Sequence, residues 1–300
     1  MSSAVRDNKE HKAQFNTWFK LAGKSDSLDQ WSLYLQLCSK FNFQYWMHED
    51  AASGTEKNYL LYYHDTLKTY DSTALLQLKN DILFTFAKPR SGQGVSIGLR
   101  NEYDQLYQKT DSLFMNNIFL GNAYFSGELG KDSVGKRTIK WYSQTNLQYV
   151  VDGPNKGDYH AEERIGLGAI RPKQKEAYLL LSSTSRHADH IYNNWNSNHF
   201  YWINNQYKPS ITNQVKVGVS FKGKYDFSFF AQSIQRFLYF NEQVYPEQYS
   251  GSVQNIGVST SVDLLLLRHL GIYVSNVYQQ TSHTALVSIP QNIFTARVFY

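Results

Sequence analysis

The sequence predicts an all-β protein: an antiparallel up-and-down transmembrane β-barrel, either closed or incomplete as an open curved sheet. Three observations predict it. Apolar and polar residues alternate along most of the chain, and successive side chains on a strand point to opposite faces. The alternating stretches run to about ten residues, where soluble strands average about five to six and membrane-spanning strands need about nine to eleven. Aromatic residues make up 16% of the chain. Many fall near predicted strand ends, among them Trp18, Trp31, Tyr45, Trp46, Trp141, Tyr149, Tyr159, Trp195, Trp202, Tyr225 and Tyr300, where the interface girdles of a barrel lie.

The clearest hairpin is VKVGVSFKGKYDFSFFAQ at 215–232. Val215, Val217, Val219 and Phe221 form one face of its first arm, against Lys216, Gly218 and Ser220. Tyr225, Phe227, Phe229 and Ala231 form the matching face of the second arm. A two-residue turn at Gly223-Lys224 would pair Phe221 with Asp226 and mix the faces. A three-residue loop pairs Phe221 with Tyr225, Val219 with Phe227 and Val217 with Phe229, and register follows the buried face. The Val/Phe face is expected to point outward to lipid. The 222–224 loop then becomes a short turn, with longer polar loops at the opposite rim.

Residues 1–12 are polar and read as a disordered leader, leaving 13–300 as one barrel domain. Phe15, Thr17, Phe19 and Leu21 alternate in the first strand. Trp31, Leu33, Leu35 and Leu37 follow, prolonged by Phe41, Phe43 and Tyr45. The region 48–73 reads as a long loop with room for a short helix. Strands are expected at 74–86, around Val95, Ile97 and Leu99, at 114–127 and at 138–151. DGPNKGD at 152–158 is the strongest turn signal. A strand at 159–170 is followed by a turn at 171–176 and a short apolar strand at 178–183. Residues 186–198 form a polar loop and 199–205 an aromatic strand. Residues 234–240 extend the second arm of the hairpin, and 242–252 are a loop. Strands at 255–266, 270–279 and 293–300 complete a rhythm of roughly twelve to fourteen strands.

Composition narrows the function. Net charge is +5 with a pI near 9.0, but basic residues alternate with acidic ones, so no nucleic-acid binding is expected. Cys38 is the single cysteine. It permits no internal disulfide and no multi-thiolate metal site. No segment approaches the ~18 consecutive apolar residues of a spanning helix. The start, MSSAVRDNKEHK, lacks the apolar core of a secretory signal. An exported protein would therefore contain this chain as an internal piece.

Chemistry is sparse. His187, Asp189 and His190 lie close in sequence, without an evident third-ligand element. His160-Ala161-Glu162-Glu163 lacks the second His of a zinc protease motif. The Gly92-Gln93-Gly94 and Gly166-Leu167-Gly168 stretches open no helix and precede no Lys-Ser/Thr pair. No Ser–His arrangement fixes a triad. The expectation is no catalysis, no metal and no cofactor.

What remains is the polar strand face. Arg100, Glu102, Lys140, Gln144, Asn146, Gln148, Glu162, Arg164, Lys216, Asp226 and Asp263 would share one side of a barrel wall and line a water-filled pore. Mixed signs argue against strong ion selectivity, and the positive excess favours a mild anion preference. The same residues could instead face bulk solvent on a soluble or secreted β-sandwich that binds carbohydrate through exposed aromatics. A third reading is a barrel anchor without conductance.

Tyr70-Asp71-Ser72 leading into a strand, the stretch 114–127 and IPQNIFTARVFY at 289–300 resemble the β-barrel porins of Bacteroidota outer membranes. The Ile-Pro turn opening an aromatic-ended strand is similar to that family's habit. The resemblance covers most of 13–300. It implies a passive outer-membrane channel for small hydrophilic solutes, with outer-membrane lipid as the surrounding partner and room for a homo-oligomer. It carries over no binding residues. Residues 48–73 and 186–198 are the segments expected to constrict or cap such a pore.

Overall fold

The computed structural model describes residues 5–23, 30–50, 69–88, 91–108, 112–129, 139–168, 175–197, 200–204, 206–221, 224–267, 270–284, 286 and 289–299. In chain order its elements are β1 (Val5–Ala22), β2 (Ser32–Asp50), β3 (Thr69–Lys88), β4 (Gln93–Tyr107), β5 (Ser112–Leu129), β6 (Ile139–Asp152), β7 (Tyr159–Gly168) and β8 (Lys175–Arg186). The short elements α1 (His190–Asn193), β9 (Asn194–Asn196) and β10 (Tyr201–Ile203) follow. Then come β11 (Ser210–Phe221), β12 (Tyr225–Gln235), β13 (Leu238–Phe240), β14 (Pro246–Gln248), β15 (Ser252–Leu267), β16 (Leu270–Thr281) and β17 (Asn292–Phe299).

Thirteen strands join a single sheet in the order β1-β2-β3-β4-β5-β6-β7-β8-β11-β12-β15-β16-β17. Each pairs antiparallel with its neighbours. This is the up-and-down meander expected of a barrel wall, and it is not closed among the described residues. The β-sandwich reading is overturned. All thirteen strands lie in one sheet, and the remaining short strands make only two-stranded patches, β9 with β10 and β13 with β14.

The alternation seen in the sequence sets the two faces. In the β11–β12 hairpin, Phe221 pairs with Tyr225, Val219 with Phe227 and Val217 with Phe229, as the three-residue loop requires. The loop residues 222–223 lie outside the described residues. Val217, Phe227 and Phe229 are each more than half exposed, so the Val/Phe face covers no protein core. Ile97 and Leu99 on β4, Ile82 and Phe84 on β3, and Leu167 on β7 share this exposed apolar face. Val215 to Phe221 alone spans about 20 Å at ~3.4 Å per residue. The buried side chains lie on the other face, where Leu83, Ile118, Leu120 and Val150 cluster.

Several boundaries differ from expectation. Residues 5–12, read as disordered because they are polar, continue β1. Cross-strand polar contacts replace apolar burial there: Gln44 Nε2 donates to Glu10 Oε1 at 2.6 Å. β2 runs to Asp50 and β3 starts at Thr69, so the ends of the 48–73 loop are strand. Its remainder, 51–68, lies outside the described residues, as does the helix allowed for there. The aromatic strand at 199–205 shrinks to β10, which pairs with β9 rather than the wall. The second arm of the hairpin stops at Gln235, because Arg236 adopts a φ of 55° and turns the chain out of the ladder. The 171–176 turn is cut short, since β8 already begins at Lys175.

Residues 23–31, 89–92, 130–138, 169–174, 222–224 and 268–269 join strands at one end of the sheet, and 51–68, 108–111, 153–158, 187–209, 236–251 and 282–291 join them at the other. No link at the first end exceeds nine residues and the three longest lie at the second, so the ends are called the short-turn rim and the long-loop rim.

Candidate channel surface

Strand register places the polar residues picked out by alternation on one face. Arg100 and Glu102 share it with Asn116 and Ile118 of β5. Asn146 pairs with Glu162 and Gln144 with Arg164 across β6 and β7. Gln148 and Lys140 fall in the same alternation of β6. Lys216, Asp226 and Asp263 continue it on β11, β12 and β15. The structure does not gather these residues at one point: Arg100 and Glu102 fall in one cluster, Arg164, Lys216 and Asp226 in a second, and the other six are spread along the face.

The first cluster sits on β3 and β4. Arg100 donates from Nε to Asp81 Oδ1 at 2.7 Å and from Nη2 to Oδ2 at 2.9 Å. This two-pronged pair is largely buried, with side-chain exposures of 18% and 8%. One rung towards the long-loop rim, Lys79 Nζ lies 2.6 Å from Glu102 Oε1. On the next rung, Gln77 Nε2 donates to Asp104 Oδ1 at 3.0 Å. Lys79, Asp81 and Asp104 were absent from the expected set. Strand β3 carries leucines on both faces, Leu75 and Leu83 on the polar side and Leu76 and Leu78 on the other, which blurs its period.

The second cluster spans β6 to β12, nearer the short-turn rim. Arg164 donates from Nε to Tyr142 Oη at 2.7 Å and from Nη2 to Glu176 Oε1 at 2.9 Å. Tyr142 also donates to Glu176. The Arg164 guanidinium stands 4.1 Å above the centre of the Tyr178 ring, within the range of a cation–π contact. Tyr178 Oη donates to the Asp226 carboxylate at 3.2 Å. Lys216 approaches the same ring at 6.0 Å.

A cap covers the first cluster. The segments 187–209 and 236–251 pack on each other around Trp202, which is buried. Trp195, Phe200, Phe240 and Tyr245 surround it with ring centres 5.9–6.3 Å away. Trp202 Nε1 donates to the Ile191 carbonyl at 2.8 Å, and Tyr207 donates to the Pro246 carbonyl. Trp195 and Trp202 thus build the cap rather than an interface girdle. The β6–β7 turn and strand β5 each anchor the cap. His187 Nδ1 lies 2.6 Å from Asp158 Oδ1, and the His187 backbone N–H donates to the same carboxylate at 2.9 Å. His190 meets Phe114 edge-on at 5.2 Å. Burial holds the His190 imidazole below its ordinary pKa, so it is neutral at pH 7. Asp189 pairs instead with Arg186. The three residues weighed as a metal group therefore face three different partners.

Between cap and wall lies a cleft of about 1620 Å³. Gln77, Glu102 and Asp104 line it from the wall, and Asp158, Trp195 and Tyr207 from the loops. Among the described residues its carboxylates, Asp71, Glu102, Asp104, Asp158 and Asp189, outnumber the side-chain cations Lys79 and Arg186, a balance opposite in sign to the chain's net charge, on which the mild anion preference rested.

One sheet with an exposed apolar face and a face of paired charges has the build of a membrane β-barrel wall. The chain belongs to the family described as "Putative porin", whose model matches residues 1–300. No curated protein matches it. Among solved structures it is similar to the copper transporter OprC, with a TM-score of 0.53 and 12% sequence identity. That match covers 96% of this chain and 49% of the other, so the chain spans about half the length of the transporter. At this identity the likeness concerns the fold.

Proposed function

We propose that the chain forms part of an outer-membrane porin wall through which small hydrophilic solutes diffuse passively. The observation that carries this reading is the division of one continuous sheet. Its apolar face has no protein cover among the described residues, while its other face holds Asp81–Arg100, Lys79–Glu102 and Arg164–Glu176 beside an open cleft. Lipid suits the first face and water the second. The family supports a Gram-negative outer membrane, and the resemblance noted in the sequence supports a Bacteroidota source. The proposed activity is transport, without catalysis.

The test is reconstitution of the full-length protein in planar bilayers. Stepwise conductance is expected, and folded protein that never conducts would sink the channel in favour of a barrel anchor. In a salt gradient the reversal potential should show a weak preference for cations over anions, because carboxylates predominate in the cleft. Asp104→Asn is expected to reduce that preference; an unchanged potential would mean that the cleft lies off the conducting path.

The cap gives a second, steric test. Replacing 190–206 with a short Gly-Ser linker is expected to raise single-channel conductance about twofold or more, since pore diameter limits flow. Equal conductance with and without the cap would show that it does not constrict the pore.

A further inference from the structure

Across β2 to β5 the exposed apolar face is interrupted by a transverse polar row. Ser39 pairs with Asn80, Asn80 with Asn101, and Asn101 with Asn117, across β2, β3, β4 and β5. Ser39 Oγ donates to Asn80 Oδ1 at 2.9 Å, and Asn101 Nδ2 donates to Asn117 Oδ1 at 3.0 Å. The row does not mark the edge of the apolar belt. On the short-turn side it is flanked by Leu37, Ile82, Leu99 and Phe119, and on the long-loop side by Phe41, Leu78, Tyr103 and Met115. Ile82 and Leu99 on one side, and Met115 on the other, are each about half exposed, between 49% and 57%.

Lipid is a poor neighbour for this row. Each carboxamide has two donors and two acceptor sites, and the two bonds within the row leave most of them open. Acyl chains offer no partner, and an unmet polar group in hydrocarbon costs free energy. On β11 and β12 the same face is unbroken from Phe221 to Val215, where Val217 pairs with Phe229 and Phe229 with Val258, and its polar row Ser183–Asn213–Ser233–Gln254 lies at the margin, with Ser185, Gln235 and Ser252 on the next rung. Two further polar interruptions are single residues with their own partners: Glu163 accepts from Ser143 Oγ at 2.6 Å and from Thr145, and Asn276 Nδ2 donates to Asn292 Oδ1 at 2.6 Å.

We propose that the β2–β5 face is the interface for a second copy of the chain, related by a twofold axis along the membrane normal. A carboxamide is its own complement, donating and accepting equally, so a surface built on carboxamides fits itself. Self-fit is the property of an isologous contact, which twofold symmetry generates. Barrel strands tilt by about 35–45° from the normal, so the rows of two upright copies cross rather than overlay. The crossing falls on the middle of the row, Asn80 and Asn101, with the apolar rows packing around it. Interhelical and interstrand polar contacts of this kind hold membrane proteins together where the hydrophobic effect offers little.

This inference rests on the reading of the apolar face as a membrane wall, and the experiment separates the two. The full-length protein is placed in outer membranes in a Cys38→Ser background, since Cys38 is buried and unpaired. Leu99→Cys beside the row and Val217→Cys on the distant wall are then treated with a short bis-maleimide. A dimer is expected from Leu99→Cys and not from Val217→Cys. Adding Asn80→Leu and Asn101→Leu should cut the cross-linked fraction about tenfold while heat-modifiable gel mobility persists. Sedimentation of the unmodified protein in detergent should give a dimer, which decides the matter if the leucine variant does not fold. Equal cross-linking at both positions, a product with another protein, or a membrane-embedded monomer would overturn the interface alone. Recovery of the protein outside the membrane would instead overturn the porin reading.

Discussion

Arg100→Leu is expected to destabilise the wall by about 3–5 kcal/mol, the cost of leaving a buried charge without its partner. Asp81 keeps only 8% of its side chain exposed and receives two hydrogen bonds from Arg100. Removal of the guanidinium strands that carboxylate beside the Leu83 and Ile118 cluster. The double variant Asp81→Leu/Arg100→Leu should recover most of the loss, because apolar replacements of a whole buried pair are often neutral. Lys79→Leu makes a useful comparison. That pair is more exposed, at 31% for the lysine, and water screens it, so a loss of about 1 kcal/mol or less is expected. Urea unfolding of the protein in phospholipid vesicles measures all three. Equal losses for Arg100→Leu and the double variant would show that the pair does not act as a unit.

The second large effect concerns glycines under aromatic rings. On the polar face, Gly218 pairs with Tyr178 and Gly166 with Tyr142. A β-carbon at 218 would lie 2.5 Å from Tyr178 Cζ, and one at 166 would lie 2.1 Å from Tyr142 Cε1. The rings occupy the space that a side chain would take, the arrangement known as aromatic rescue of a strand glycine. Neither ring can simply swing away. Tyr178 is 5% exposed, lies under Arg164 and bonds Asp226, while Tyr142 bonds Arg164 and Glu176. Gly218→Val is therefore expected to cost about 3 kcal/mol, at the upper end of overpacking penalties. Tyr178→Ala should be destabilising alone yet relieve most of the Gly218→Val defect, since it clears the same space. The unfolding midpoints of the two single variants and their combination decide this. Strict additivity would refute the steric coupling.

These two sites show what the sequence could and could not convey. Alternation alone fixed the faces of β4, β6, β7, β11, β12 and β15, because a one-residue slip would have put Val217 or Leu99 on the polar side. It also placed Arg100, Arg164 and Asp226 correctly on that side. It could not name their partners. Asp81 lies on a strand whose leucines occupy both faces, and Glu176 falls in a stretch that reads as a turn. Cross-strand partners depend on register between segments many residues apart; alternation excludes one-residue slips, but the turns decide among registers two residues apart. The cap was misread for another reason. Residues 199–205 have the aromatic composition of a strand, but only Tyr201–Ile203 form one, and Trp202 packs there among Trp195, Phe200, Phe240 and Tyr245 in a loop assembly. Arg236 and Val244 hold positive φ values of 55° and 64°, a conformation that no sequence rule assigns to them. Arg236 is kept there by bonds from its Nη1 to the Pro209 carbonyl and from Ser210 Oγ to its own carbonyl.

The order of the sheet has a consequence of parity. Among the described residues, thirteen wall strands that alternate in direction leave the first and the last, β1 and β17, running the same way. The two edges cannot zip to each other by antiparallel bonding, whatever curvature the wall adopts. Single-chain bacterial barrels close with an even number of antiparallel strands. A ring built on this wall by that rule takes an odd number of further strands, whose first and last members run opposite to β1 and β17.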